Sequence, residues 1–151
     1  MYTLVRRYIK TAIGFLALGL AIGGWMIARR ELYDRFPSSY VVSAHTHAIF
    51  VGFVMMMILG VALWLFPRPD KEDTRYRPVL VEWAYWLLAI GTAGRVAGEL
   101  LRTVSGATAL RVAVLVFGAG QIGGLLLFFH AMWSRIRPLG SRAREEKGER
   151  F

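Results

Sequence analysis

The chain has 151 residues, 56% of them hydrophobic and 13% aromatic, with a formal charge of +9 and no cysteine. The missing cysteine excludes disulfides, thiolate-ligated iron–sulfur clusters and zinc ribbons, and leaves three histidines as the main soft metal ligands. Apolar residues come in long runs and basic residues fill the gaps between them, so membrane-surface electrostatics accounts for the charge and no nucleic acid is expected as a partner.

Crossing the hydrocarbon of a bilayer takes roughly 20 mostly apolar residues in a helix that satisfies its own backbone. Four segments meet that length, at 8–28, 40–66, 78–101 and 109–134. They predict an all-α integral membrane protein, with residues 1–138 forming a single four-helix transmembrane bundle. The first run follows basic residues, as a signal peptide would, but Arg29, Arg30 and Glu31 come after it where cleavage needs small residues, so it is read as a span. Pro37, Pro67, Pro69, Pro78 and Pro138 all fall at or outside the ends of the runs, where a missing backbone donor is tolerated. Residues 139–151 are charged throughout and are expected to form a disordered or membrane-surface tail.

Orientation follows from the basic residues. Arg6, Arg7 and Lys10 precede the first span, Arg68, Lys71, Arg75 and Arg77 lie between the second and third, and Arg135, Arg137, Arg142, Arg144, Lys147 and Arg150 follow the fourth. Only Arg29, Arg30, Arg35, Arg102 and Arg111 fall on the opposite side, so both termini are expected in the cytoplasm, in a multi-pass protein of the inner (cytoplasmic) membrane. Trp64, Trp83, Trp86 and Trp133 near one level and Trp25 near the other form the aromatic belts of such a protein.

In the fourth run, Gly118, Gly120 and Gly123 have the spacing of a dinucleotide-binding turn. That fingerprint requires a second strand and an acidic residue about 20 positions on. Here a further apolar run follows and no acid appears before Glu145. Small residues repeated at four-residue spacing instead let membrane helices approach closely, and Gly19 with Gly23, Gly94 with Gly98 and Gly120 with Gly124 fit that use.

Ionisable residues inside hydrocarbon are costly and mark sites. The set is His45, His47, Glu82, Arg95, Glu99 and His130, with Gln121 as a neutral companion. Helix rise places His45, His47, Arg95 and Glu99 in the outer part of the bundle, and Glu82 and His130 about 20 Å away at the cytoplasmic level. Residues two apart on a helix point about 200° from each other, so His45 and His47 cannot aim at one metal from a regular helix. Either the helix is irregular there or one ring faces a neighbouring subunit. At least one of the two is expected to ligate haem or a metal. Arg95 and Glu99, four apart, are expected to neutralise each other, with haem propionates for Arg95 and metal ligation for Glu99 as alternatives. Glu82 with His130 would make a carboxylate–imidazole pair, expected as a structural hydrogen bond near the interface, with metal ligation or proton transfer as the alternatives. Met55, Met56 and Met57 point three ways around a helix and read as packing residues rather than copper ligands.

Residues 13–32 (IGFLALGLAIGGWMIARREL) and 43–67 (SAHTHAIFVGFVMMMILGVALWLFP) together resemble the first two helices of the haem–copper oxidase catalytic subunit. In that family the histidine of the His-Ala step ligates the low-spin haem from the outer half of the membrane, and His47 stands at the matching position. The resemblance implies haem b on His47, with copper or zinc as the alternative cofactor. It ends near residue 70, and the family's later haem ligand and copper-site histidines have no counterpart here. The second ligand would then come from His45 or His130 of another subunit or from an exogenous ligand. The expected function is electron transfer or small-gas (O2 or NO) binding in a homo-oligomer, a dimer or trimer, without a complete oxidase centre in one chain. Two other expectations stand beside it: an accessory subunit or assembly factor working with respiratory-chain subunits, and a small proton- or ion-conducting module.

Overall fold

The structure, a computed structural model, describes residues 2–66, 77–136 and 147–148. The linker at 67–76 and nearly all of the tail whose disorder the sequence suggests lie outside the described residues.

The first helix runs Tyr2–Tyr33, the second Ser39–Leu65, the third Pro78–Leu101 and the fourth Thr108–Met132, continued by a 3-10 turn, Trp133–Arg135. Each start and stop has a local cause. Asp34 adopts the left-handed conformation (φ 49°) that a short polar residue tolerates, and it turns the chain out of the first helix. Pro78 occupies the first turn of the third helix, where its missing N–H is not needed. The first helix is longer at both ends than the apolar run at 8–28, since a helix continues past the hydrocarbon wherever its polar ends stay hydrated.

Three helices, Thr3–Tyr33, Ser39–Leu65 and Thr108–Arg135, are long and apolar enough to cross a membrane. The third has sufficient length, 24 residues, but carries Glu82, Arg95 and Glu99. Large apolar side chains face outward on all sides: Ile27 is 66% exposed, Leu115 72% and Leu126 67%. In water each would forfeit about 1.5–3 kcal/mol of burial, so these surfaces suit lipid.

Consecutive helices pack side by side, and the third and fourth are the most closely joined. A Cβ on Gly91 would stand 2.9 Å from the Phe117 carbonyl oxygen, and one on Gly124 would stand 3.1 Å from the Ala84 carbonyl oxygen. On the fourth helix Gly120 and Gly124 thus serve backbone approach, whereas a Cβ on Gly118 would meet the Arg95 side chain and one on Gly123 only open space.

The interior divides into two clusters. At the end holding the N-terminus and the close of the fourth helix, here the terminal end, Tyr8, Phe15, Met56, Leu59, Leu88 and Phe128 form the larger core. Tyr8 is fully buried, sets its ring edge-on to Tyr85 (centroids 5.1 Å apart) and Phe128 (5.9 Å), and donates its hydroxyl to the Val81 carbonyl. Arg135, 2% exposed, donates to the carbonyls of Leu63 and Phe66, satisfying the close of the second helix from the end of the fourth. Toward the other end, where the helix connections at 34–38 and 102–107 lie, the core shrinks to Ile22, Val41, Ala44, Ala48 and Val96.

Candidate functional site: a polar cluster beside a π-helical turn

The second helix changes its winding at His47. Ser39–Thr46 is α-helical, His47–Met55 is π-helical, and Met56–Leu65 returns to α. π turns in proteins are mostly single and frequently mark functional sites, so a nine-residue stretch beginning at the histidine is notable on both counts.

His45 and His47 diverge, as their spacing requires, but both stay against their own chain. The His45 ring packs over Gly23 of the first helix, and its Nδ1–H donates to the Gly19 carbonyl at 2.9 Å. The His47 ring turns toward the third helix. Its Nδ1–H donates to the Ser43 carbonyl at 2.8 Å, with the Ser43 hydroxyl oxygen at 3.4 Å and Glu99 Oε2 at 3.8 Å. A carbonyl only accepts, so the proton of each neutral ring is on Nδ1 and the Nε2 lone pair is left available. A backbone carbonyl holding one ring nitrogen is the arrangement that orients histidine ligands.

Glu99, with 5% of its side chain exposed, is the centre of the cluster. Its Oε1 accepts from Ser43 Oγ at 2.8 Å and from Arg95 Nε at 3.1 Å. The i,i+4 pair expected between Arg95 and Glu99 is therefore formed, and it neutralises charge that would otherwise be isolated at low dielectric. Arg95 also donates to Gln121 Oε1 at 3.3 Å, and Gln121 Nε2 donates to Thr92 Oγ1 at 3.0 Å. The network thus runs from the second helix through the third to the fourth. One atom is left over: Glu99 Oε2 is buried and accepts no hydrogen bond among the described residues.

The remaining sequence candidates lie elsewhere. Glu82 and His130 do not meet. Glu82 pairs with Arg7 of the first helix at 2.9 Å, both about half exposed, and His130 is exposed on the fourth helix. Met56 is fully buried in the core and Met55 and Met57 are partly covered, which fits packing. Among the described residues no three His, Asp or Glu side chains converge to hold a metal ion. Ser43, Thr92 and Arg135 are polar participants that the search for ionisable groups in hydrocarbon passes over. Ser43 carried a usable signal, lying one helical turn before His47 on the same face.

No curated protein and no solved structure matches the chain. Every member of the cluster, from Ser43 to Gln121, falls within the region covered by one family model, and Arg135 falls outside it. That model, described as a domain of unknown function (DUF8744), matches residues 3–128, and the chain belongs to this family.

Proposed function

We propose that the protein crosses the inner (cytoplasmic) membrane four times with both termini in the cytoplasm, and that it binds haem b, which His47 would hold, for electron transfer or small-gas binding. The observation that carries this reading is the fixed His47 ring, whose Nδ1–H is held by the Ser43 carbonyl while Nε2 keeps its lone pair. The resemblance of the first two helices to the haem–copper oxidase subunit supports the same residue. Bound haem would supply a one-electron couple and a position for a diatomic gas.

The chain's own groups do the rest. Ser43 holds the ring's orientation. Arg95 donates to Glu99 and Gln121 and so partners the carboxylate. Glu99 places a carboxylate, shared with Arg95, 3.8 Å from His47 Nδ1. A further ligand would come from His45 or His130 of a second copy in a dimer or trimer, or from an exogenous group.

The test is the absorption spectrum of detergent-purified protein before and after dithionite, with a pyridine haemochrome assay on the same sample. A Soret band and haem b α-band that disappear in His47→Ala but persist in His130→Ala support the reading, and their absence from fully haem-supplied wild type contradicts it.

A second reading rests on Glu99 Oε2, a buried carboxylate oxygen without a donor, which is what a proton-binding site within a membrane requires. It expects proton flux in cofactor-free liposomes that Glu99→Gln abolishes. Neither haem nor flux would return the protein to the role of an accessory subunit beside respiratory-chain partners.

A further inference from the structure

The first helix ends in a cationic pocket that nothing in the cluster above uses. A cavity of about 240 Å³ is lined by Trp25, Ala28, Arg29, Tyr33 and Arg35. Its two arginines meet because the chain reverses at Asp34: the left-handed turn there brings the Arg35 amide back to donate to the Arg29 carbonyl at 3.3 Å. Neither guanidinium forms an ion pair among the described residues, since Glu31 is taken by Arg30. Arg29 instead lies over the Trp25 ring, 5.2 Å from its centroid. Two unneutralised guanidiniums framed by Trp and Tyr, at the level where the apolar run of the first helix gives out, form an anion site at a membrane–water interface.

A second feature points to the same ligand. Trp25 is also a wall of an apolar groove of about 390 Å³, lined further by Ala21, Ile22, Val41, Leu100 and Thr103. This groove lies among residues of the first, second and third helices and shares Trp25 with the cationic pocket. A charged head recess joined to an apolar channel at one aromatic ring has the polarity profile of a phospholipid.

We propose that an anionic phospholipid occupies both, with its phosphate between Arg29 and Arg35 and one acyl chain in the groove of Ile22, Val41 and Leu100. The site is independent of the haem reading, with which it shares no residue.

The full chain purified in mild detergent is examined by native mass spectrometry and thermal unfolding, with phosphatidylglycerol, phosphatidylcholine or inorganic phosphate added. Phosphatidylglycerol should remain bound and raise Tm, and the Arg29→Gln/Arg35→Gln variant should bind it at least about tenfold more weakly. Ala21→Trp, which fills the groove from an exposed position, should weaken it as well while leaving both arginines in place. Equal binding by the double variant, or equal stabilisation by phosphatidylcholine, overturns the headgroup assignment. Phosphate alone matching the lipid, or unchanged binding by Ala21→Trp, overturns the acyl-chain assignment.

Discussion

The two ends of the bundle solve the same packing problem with different materials. At the terminal end, aromatic and aliphatic side chains interlock around Tyr8, and a deeply buried cation, Arg135, donates to backbone carbonyls. Toward the connecting loops, the apolar core is reduced to five residues, most of them small, and polar side chains from three helices take up the remaining space. The second helix passes through both regions and leaves α-helical winding at the histidine where the polar region begins. Close apolar packing rigidifies; a polar interior with an unshared carboxylate oxygen and an open imidazole nitrogen is left able to respond to a ligand.

Substitutions that probe each half should differ in size and in kind. The largest effect is expected from Tyr8→Ala, which empties the centre of the aromatic cluster and should cost about 3–5 kcal/mol, read as the loss of cooperative unfolding or a large drop in Tm in detergent. Arg95→Met should cost about 3 kcal/mol by leaving Glu99 without its cation. The double variant Arg95→Met/Glu99→Gln should recover much of that, which a packing role for Arg95 alone would not allow. Gly124→Ala puts a Cβ 2.9 Å from Leu88 Cγ and 3.1 Å from the Ala84 carbonyl, and should cost about 1–3 kcal/mol as the third and fourth helices are pushed apart. The smallest is Arg7→Gln. Its pair with Glu82 is about half exposed, and the change should fall within about 1 kcal/mol. A loss comparable to that of Arg95→Met would show that the exposed pair, too, is a structural anchor and would blunt the contrast between the ends.

The third helix illustrates how far the sequence could be read. Its bounds at 78 and 101 follow from Pro78 and the length of the apolar run, and the Arg95–Glu99 pair follows from four-residue spacing. Depth could be read for every ionisable group, because helix rise is fixed. Direction around the axis could not, and for that reason Glu82 found Arg7 instead of His130. The opposed directions of His45 and His47 follow from the angle per residue, which makes a local irregularity one of two outcomes; that it takes the form of π winding from His47 to Met55 could not be read, since an apolar run on every face has no periodicity to disturb. Gln121 is legible as a neutral companion of the ionisable set and Ser43 through its spacing from His47, whereas Thr92 joins the network through a contact between helices that its small transfer penalty does not announce.

The measurement closest to the heart of this account is a titration of haem-free protein in detergent with ferric haem, followed at the Soret band for wild type and His47→Ala. Saturable binding with a ligated-haem spectrum in the wild type, lost when His47 is replaced although the fold by circular dichroism is kept, is the predicted result. Identical titrations for the two proteins would contradict it.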